Sequence, residues 1–250
     1  MINIKTEEQL KIMEAGGKIL SEVMWEILEH VKPGISELEI DKLAEKLILE
    51  KGAEPGFKRV DGYKYSICVS TNDVVVHGIP TEYKFKSGDI VGIDCGVFYK
   101  GFHTDMSETV AVGEIPGDVK EFLETGKKAL ILAIEKVKIG NHIGDISQTI
   151  QEIVEGKGYS IVRSLVGHGV GRELHEEPEV PGYLSASIQK TPELIKGMVI
   201  AVEVIYNQGG PDLIYANKDG WTLKTEDGSL AGLFERTVAV TQNEPSILTK

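Results

Sequence analysis

The stretch IDCGVFYKGFHTD, residues 93–105, decides the fold and contains the first two candidate site residues, Asp94 and Asp105. The alternating, β-branched run before it predicts a strand, and the YKG segment at 99–101 supplies a turn. A turn centred between the first two residues of that segment would place Asp94 directly opposite Asp105 in a β-hairpin. Directly opposed side chains have Cβ atoms about 5 Å apart, and like charges there are destabilising. Either the hairpin is a solvated surface element with another register, or a cation lies between the carboxylates.

The composition is that of a globular protein and argues against several classes of function. The chain has 250 residues, of which 41% are hydrophobic and 26% charged. A net charge of −12 and a pI near 5.1 argue against a general nucleic-acid-binding surface. No apolar run approaches the roughly 20 residues that cross a bilayer, and the N-terminus does not resemble a targeting segment. We therefore expect no membrane association.

The cysteines indicate the compartment. Cys68 and Cys95 are the only two, and both lie in apolar, strand-like runs without C-x-x-C spacing. Such isolated thiols are typical of reduced, structural cysteines. The sequence therefore predicts a cytoplasmic protein without disulfides.

Helical periodicity and capping signals predict four helices in two pairs. Thr6 with Gln9 and Ser36 with Glu39 have the spacing of capping boxes. The predicted helices cover 6–30, 36–52, 118–137 and 146–156, with strands from 57 to 76 and the aspartate hairpin continuing to 112.

An internal repeat relates the two helix pairs. HVKPG at 30–34 resembles KVKIG at 136–140. Four identities keep one offset of 106 positions, which favours a duplicated half-domain. They are Val31 with Val137, Gly34 with Gly140, Ile40 with Ile146, and Gly52 with Gly158. The pattern predicts an α+β fold with pseudo-twofold symmetry, forming one domain, residues 1–250, with halves of about 1–112 and 113–250.

Three further candidate residues lie in the second half. His168 is flanked by glycines, which reduce side-chain bulk around the imidazole. Glu203 and Glu235 each lie in a run apolar enough to be a buried strand. Carboxylates are almost never fully buried unless they are paired or bind metal. Singly, His168 could be a loop residue, and each glutamate could point outward.

Taken together, the five residues indicate a metal site. Four carboxylates and one imidazole suit Mn, Fe, Co or Zn better than a structural thiolate zinc site does. Two such ions can bridge a hydroxide and polarise a substrate oxygen. The set therefore predicts a hydrolase.

These residues lie in spans that resemble the type I methionine aminopeptidases, and the similarity covers nearly the whole chain. The order and spacing of the candidate ligands match throughout, although no single span would be specific. The spans are IKTEEQLKIMEAG (4–16), TNDVVVHGIP (71–80), GDIVGIDCGVFYKGFHTDMSETV (88–110), GHGVGRELHEEPEVP (167–181), VEVIYNQGG (202–210) and KDGWTLKTEDGSLAGLFERT (218–237).

The resemblance implies the pita-bread fold, a curved antiparallel sheet covered by helices, and a site with two divalent ions, Co, Mn, Fe or Zn. Asp94 would bind one ion, Asp105 and Glu235 would bridge both, and His168 and Glu203 would complete the other ion's ligands. A bridging hydroxide would attack the first peptide bond of the substrate.

The resemblance also implies roles in catalysis and substrate binding. Glu203 would handle the proton, His175 would stabilise the oxyanion, and His77 would contact the scissile amide. The substrates would be nascent chains and peptides with a free N-terminal methionine and a small second residue. Because nascent chains emerge from the ribosome, we expect ribosome association. We also expect a monomer. The methionine pocket would be lined by Tyr63, Cys68, Leu174 and Trp221.

Some positions depart from the family pattern, and two other functions compete. Val204 follows Glu203 where the family usually has proline, and Leu233, Phe234 and Arg236 replace glutamine, tyrosine and histidine around Glu235. We expect these departures to affect rate and pocket detail rather than the ligands. The alternatives are a proline-specific peptidase of the same fold, which normally carries an extra N-terminal domain that 250 residues leave no room for, and a non-catalytic peptide-binding module.

Overall fold

The structure is a computed structural model that describes residues 2–250. Across these residues the chain forms helix pairs that alternate with runs of strands. The helices are α1 (Glu7–Leu28), α2 (Glu37–Glu50), α3 (Gly117–Ile134) and α4 (Ile143–Glu155). The strands are β1 (Glu54–Pro55), β2 (Ile67–Thr71), β3 (Val74–Val76), β4 (Ile90–Tyr99), β5 (Phe102–Ala111), β6 (Ser160–Ile161), β7 (Gly167–Gly169), β8 (Glu176–Val180), β9 (Val199–Asn207), β10 (Leu213–Tyr215), β11 (Leu223–Thr225), β12 (Ala231–Ala239) and β13 (Ser246–Ile247).

The first two helices begin at the capping residues that the sequence predicts. The backbone N–H of Gln9 donates to Thr6 Oγ1 at 3.3 Å, and the N–H of Thr6 donates to Gln9 Oε1 at 2.9 Å. Ser36 starts α2 with the same reciprocal pair. α4 begins at Ile143, three residues before its predicted start, because Asp145 accepts a hydrogen bond from the N–H of His142 at 2.8 Å. Such reciprocal bonds satisfy N–H groups that have no partner within the helix.

The main sheet is antiparallel and joins strands from both ends of the chain. Its hydrogen-bonded order is β1-β4-β5-β12-β9-β7-β8, with β2 paired to β4, β6 to β9 and β13 to β12. A smaller sheet has the order β10-β11-β3. The long strands β4, β5, β12 and β9 are therefore neighbours, and they bring residues from both halves of the sequence together.

The helices cover one face of the main sheet with two apolar cores. Leu20 and Met24 of α1 pack with Ile48 of α2 and with buried residues of β4. Phe122 of α3 packs with Ile146 of α4 and with apolar residues of β9 and β12. Full burial of such a side chain contributes roughly 1.5–3 kcal/mol. This layer holds the central strands while their opposite face stays free for the site.

The aspartate hairpin has a register that differs from the predicted one. Asp94 lies opposite Ser107, and Asp105 lies opposite Gly96, so the predicted Asp94–Asp105 pairing is wrong by two residues. The loop consists of residues 100–101, whose φ angles are 47° and 90°. Two positive φ values are those of a type I′ turn, which matches the twist of the flanking strands. A shift of two positions keeps both aspartates on the same face.

The predicted strand from 57 to 76 is only partly correct. Residues Phe57–Arg59 form a short 3₁₀ helix, and regular pairing begins at Ile67. Gly62, with φ of 83°, turns the chain in between. The aromatic residues of this segment, which favour strands by propensity, pack instead in a small apolar cluster with Cys68 and Leu174.

The two helix pairs end in the same way. Gly34 and Gly140 have φ of 91° and 85°, and Gly52 and Gly158 have φ of 73° and 80°. The N–H of Gly34 donates to the carbonyl of Phe85, and that of Gly140 to the carbonyl of Leu194. Glycine adopts this left-handed conformation without a steric penalty, so the glycines of the sequence repeat have a common conformational cause.

Candidate metal centre and its pocket

The four candidate carboxylates lie on the four central strands of the main sheet. Asp94 is on β4, Asp105 on β5, Glu203 on β9 and Glu235 on β12. Glu203 lies directly opposite Glu235 in the β9–β12 ladder. The opposed pair of like charges that the sequence predicted in the hairpin therefore exists between two other strands. Such a pair is destabilising in the absence of a counter-charge.

His168, on β7, completes the group. Its Nδ1 lies 2.9 Å from the carbonyl oxygen of Gly169, and because a carbonyl only accepts, Nδ1 carries the proton. Nε2 is then left as an acceptor, 3.4 Å from Glu203 Oε1. Asp105, His168 and Glu235 each offer one ligand atom, and these atoms lie within 4.8 Å of one another. This is a cluster in which one cation could contact several donors.

Burial and mutual repulsion disfavour several negative charges in the cluster. Burial raises the pKa of Asp94 to about 6, although a hydrogen bond from Ser107 opposes the rise. Burial, followed by the charges of neighbouring carboxylates, raises the pKa values of Asp105, Glu203 and Glu235 well above their ordinary range. Burial lowers the pKa of His168 to about 4. A neutral imidazole beside carboxylates is the form that binds metal.

The donor set fits a divalent cation. Glu235 is only 2% exposed, and its Oε1 is buried without a hydrogen-bond partner. A buried carboxylate oxygen without a partner is unusual. Oxygen donors with one imidazole nitrogen, and no thiolate, are ligands for Mn, Fe, Co or Zn. Together with the clustered ligand atoms, the unpartnered oxygen indicates that a cation belongs in this site.

Two hydroxyl residues that were not predicted from the sequence support the carboxylates. Ser107 Oγ lies 2.7 Å from Asp94 Oδ1 and 2.8 Å from Glu235 Oε2, and it can donate its proton to either oxygen. Thr237 Oγ1 accepts from the N–H of Asp105 at 2.9 Å and donates to the carbonyl of Asp105 at 2.8 Å. Each hydroxyl residue lies two positions after a carboxylate on the same strand. The two-residue period of a strand was the signal that could have identified both.

One cavity of about 190 Å³ contains all the residues that the sequence analysis selected. The carboxylates and His168 line its polar part, and aromatic and aliphatic side chains line the rest. The predicted residues along it are Tyr63, Cys68, His77, Asp94, Asp105, His168, Leu174, His175, Glu203, Trp221 and Glu235. Lining residues that were not predicted include Val76, Leu165, Val166 and Ile205, whose apolar character alone does not distinguish them from core.

The apolar wall of the cavity is held by aromatic contacts. The rings of Tyr63 and Trp221 meet edge to face with centroids 5.1 Å apart, and Phe57 lies against Tyr63 in the same manner at 6.3 Å. The Tyr63 hydroxyl donates to the carbonyl of Ile67 at 2.8 Å and lies 3.1 Å from Cys68 Sγ. Edge-to-face pairs of this kind contribute about 0.5–1.5 kcal/mol beyond burial, so the wall is preformed.

The two other candidate histidines, His77 and His175, lie beside the cluster on separate loops. His77 follows β3 with φ of 55°, a conformation that non-glycine residues rarely adopt. A Cβ at the next residue, Gly78, would lie 1.9 Å from the carbonyl oxygen of Val69, so the backbone must pass closely there. The His175 ring centroid lies 4.3 Å from that of His168. Strained backbone of this kind is common at functional sites.

The departures from the family pattern fall on both faces of the sheet. Leu233 lines the cavity. Val204 and Phe234 are fully buried among the residues that pack beneath α3, and Arg236 lies on that same face of β12. Of these four departures, only Leu233 therefore changes the surface that a substrate would contact.

No helix within residues 2–250 combines the length and the hydropathy needed to span a lipid bilayer.

Comparison with known proteins places these features in one family. Residues 11–242 match metallopeptidase family M24. The chain is 43% identical over 249 residues to the methionine aminopeptidase of Clostridium perfringens, with 100% of this chain and 99% of the other covered. It is also similar to the crystal structure of methionine aminopeptidase from Thermotoga maritima, with a TM-score of 0.96, 39% identity and complete coverage of both chains.

A more distant structure shows what the family shares. The prolidase from Pyrococcus furiosus is 27% identical with a TM-score of 0.79, but the match covers 99% of this chain and only 65% of the prolidase. These similarities confirm the pita-bread fold, and the full-length matches do not favour the proline-specific or the non-catalytic alternative. The chain belongs to metallopeptidase family M24, and within that family to the methionine aminopeptidases.

Proposed function

We propose that the chain removes the N-terminal methionine from peptides and newly made proteins, and that the eleven predicted residues that line the cavity bind the substrate and carry out the reaction. The observation that carries this proposal is the arrangement of the cavity, in which four carboxylates and an imidazole lie beside an apolar, aromatic wall. A cationic α-amino group and divalent ions suit the first part, and a methionine side chain suits the second.

In this proposal five residues hold two divalent ions. Asp94 would serve one ion, Asp105 and Glu235 would be shared by both, and His168 and Glu203 would serve the other. When bound, such ions supply Lewis-acid polarisation of a carbonyl and lower the pKa of water. Co, Mn, Fe and Zn all accept this donor set, and the donors alone do not select among them.

Glu203 is the residue assigned to proton transfer. Its carboxyl lies beside His168 and opposite Glu235, and burial together with the charge of Glu235 raises its pKa well above the ordinary value. A carboxyl beside the scissile bond can accept a proton and return it to a leaving amine. Glu203 would therefore shuttle a proton during cleavage of the first peptide bond.

The two loop histidines are assigned to the peptide itself. Burial, followed by the charge of His175, lowers the pKa of His77, so this ring is neutral at pH 7 and has one N–H to donate. We assign His175 to the oxygen on which negative charge develops, and His77 to the scissile amide. Donors fixed by the protein stabilise that charge without reorganising during the reaction.

The apolar wall accounts for the proposed choice of methionine. Tyr63, Cys68, Leu174 and Trp221 form a soft, polarisable surface that suits an unbranched thioether. The carboxylates require an unblocked α-amino group, because an acetylated terminus lacks the charge that they attract. A preference for small second residues and action on nascent chains at the ribosome follow from the family, as does action of a cytoplasmic monomer.

We further propose that the 250 residues form one catalytic domain made of two duplicated halves, about 1–112 and 113–250. Support comes from the paired glycines that end the helices of each half and from the equivalent positions of Asp94 and Glu203. Each of these two acids lies on the long strand that follows a helix pair.

Metal-free protein incubated in turn with Co²⁺, Mn²⁺, Fe²⁺ or Zn²⁺ and with the peptide Met-Ala-Ser tests the proposal. We expect release of free methionine, none from the N-acetylated peptide, and strongly reduced release by Asp94→Asn. Replacement of the exposed Asp61 by Asn is the matched control and should not change the rate. No methionine release with any of the four metals would overturn the proposal and favour the non-catalytic module, whereas cleavage of an X-Pro dipeptide alone would favour a proline-specific peptidase.

A further inference from the structure

Arg236 departs from the family pattern and lies immediately after Glu235, on the opposite face of β12. Adjacent residues of a strand point to opposite faces, so Arg236 lies behind the sheet while Glu235 lines the cavity. Its Nη1 donates to the carbonyl of Glu235 at 2.7 Å and to the carbonyl of Ser107 on β5 at 3.0 Å. We propose that Arg236 is a positioning residue that clamps β5 to β12 and thereby holds the metal ligands of the two halves in place.

Arg236 joins β12 to β5 at a point where these two strands share few backbone pairs. β12 pairs with β9 over nine residue pairs, from Ala231 with Asn207 to Ala239 with Val199. With β5 it forms only two pairs, Glu235 with Ser107 and Arg236 with Met106. The seam between the two halves therefore depends on side chains for much of its hydrogen bonding.

Threonine side chains occupy the rest of this seam. Thr109 Oγ1 donates to the carbonyl of Leu233 at 2.7 Å and accepts from its N–H at 3.0 Å. Thr237 forms the equivalent pair of bonds with the backbone of Asp105. Arg236 lies between these two bridges in sequence, and its side chain donates to backbone carbonyls of both strands. The seam passes between Asp105 and Glu235, which both contribute to the proposed metal site.

The Arg236 guanidinium has further contacts besides the two carbonyls. Nη2 donates to Glu108 Oε2 at 2.7 Å, and the two side chains are only 13% and 5% exposed. Lys127 Nζ lies 3.0 Å from the other oxygen of Glu108, and the guanidinium carbon lies 5.6 Å from the centre of the Trp25 ring. A buried charge is tolerated only when its hydrogen bonds are satisfied, so Arg236 has one well-defined position.

The geometry requires arginine in particular. The planar guanidinium has five N–H donors and can bond two carbonyls and a carboxylate simultaneously. Histidine, the usual residue of the family at this position, has at most two N–H groups. Lysine has a single nitrogen, which could take the place of Nη1 at the two carbonyls but could not also supply the bond that Nη2 makes to Glu108. This chain therefore stabilises the seam by a contact that a histidine at this position could not reproduce in full.

Metal affinity distinguishes this role from a general contribution to stability. This inference rests on the proposed metal site, so the native protein is titrated first with Co²⁺. Calorimetry and the visible absorption of the bound ion measure the binding. The same titration is made on Arg236→Met, Arg236→Lys and Arg236→His. We expect the Kd for Co²⁺ to rise at least tenfold in Arg236→Met and severalfold in the other two, since residues that orient ligands typically change metal affinity 10–100-fold.

Two controls separate the possible causes. Lys127→Met removes the other cation of Glu108 without touching the strand carbonyls, and its Kd should stay within twofold of the native value. Ile146→Ala truncates a buried core residue of α4 and lowers stability at a distance from the seam, and it should also leave the Kd unchanged. If Arg236→Met does not fold, Arg236→Lys and Arg236→His provide the test.

The outcomes are distinct. Absence of Co²⁺ binding by the native protein would count against the proposed metal site itself. Native binding together with a Kd within twofold in all folded Arg236 variants would overturn the clamp alone. A rise in Kd that Ile146→Ala reproduces would also overturn it, because the effect would then follow from lost stability.

Discussion

Replacing Asp94 by Asn should make the metal-free protein more stable at neutral pH. Asp94 shares its site with three other carboxylates, and its nearest polar contact is Ser107 Oγ at 2.7 Å. Asparagine has nearly the same shape, and its carbonyl oxygen can still accept the hydrogen bond from Ser107. The substitution therefore removes a charge while leaving the packing and the hydrogen bond in place.

The magnitude follows from the pKa of Asp94. Burial raises this pKa from 3.8 to about 6, and each pH unit corresponds to about 1.36 kcal/mol, so ionisation of Asp94 in the folded state costs about 3 kcal/mol. For a carboxyl whose folded pKa is raised, this cost is fully present above the folded pKa and disappears as the pH falls towards the unfolded value. We therefore expect Asp94→Asn to gain about 3 kcal/mol at pH 7, about half of that at pH 5, and little at pH 4.

Urea unfolding after chelation, followed by the fluorescence of Trp25 and Trp221, measures this gain at each pH. The histidines of the site titrate in the same range, but they are common to both proteins, so their effect largely cancels in the difference. Asp61→Asn in an exposed turn is the control and should stay within about 0.5 kcal/mol of the native protein. The reasoning fails if Asp94→Asn is no more stable than the native protein at pH 7, or if its gain does not shrink at pH 5.

Three further predictions concern the pocket, the peptide and the N-terminal segment. Trp221→Ala opens the wall against Tyr63 and should change the preference for the first substrate residue; an equal loss of kcat/KM on all substrates would indicate a packing defect instead. His175→Ala should lower kcat about 10²–10³-fold, as loss of an oxyanion donor does, and a loss confined to KM in steady-state assays would contradict the assignment. Lys5→Met leaves Glu176, its partner at 2.7 Å with both side chains 4% exposed, buried and unpaired, and should cost about 3–5 kcal/mol in urea unfolding at pH 7. A loss below about 1 kcal/mol would contradict that estimate, and Lys196→Met, whose ion pair is exposed, is its control.

The candidate residues of the site could be picked out from the sequence because each one violates a local rule. Glu203 and Glu235 stand out as charges in runs that otherwise belong to a core, and His168 stands out between glycines. The helix starts were equally accessible, since a capping box is encoded within four residues. These features depend on neighbours in the chain, and the capping boxes of α1 and α2 lie where the sequence predicted them.

The details of pairing were less accessible because they depend on backbone conformation and on distant partners. The hairpin register follows from positive φ at both residues of the 100–101 loop, and a lysine at the first of them gives no signal of that conformation. The bond of Lys5 to Glu176 joins residues 171 positions apart, and that of Arg236 to Glu108 joins residues 128 positions apart. No local pattern could have indicated either contact.

The short β5–β12 ladder and the repulsion among the carboxylates are two aspects of the same arrangement. The strands that carry Asp94 and Asp105 belong to one half of the chain, and those that carry Glu203 and Glu235 belong to the other, so the charges repel each other across a seam with only two backbone pairs. In the proposed ligand set both ions take donors from both sides of that seam. Binding of the ions would then turn the repulsion into attraction between the halves, while Arg236 and the threonines hold the strands in register before any ion arrives. Metal-induced stabilisation should therefore exceed the relief of charge at any one carboxylate, and the seam should be the part of the sheet that it protects most strongly.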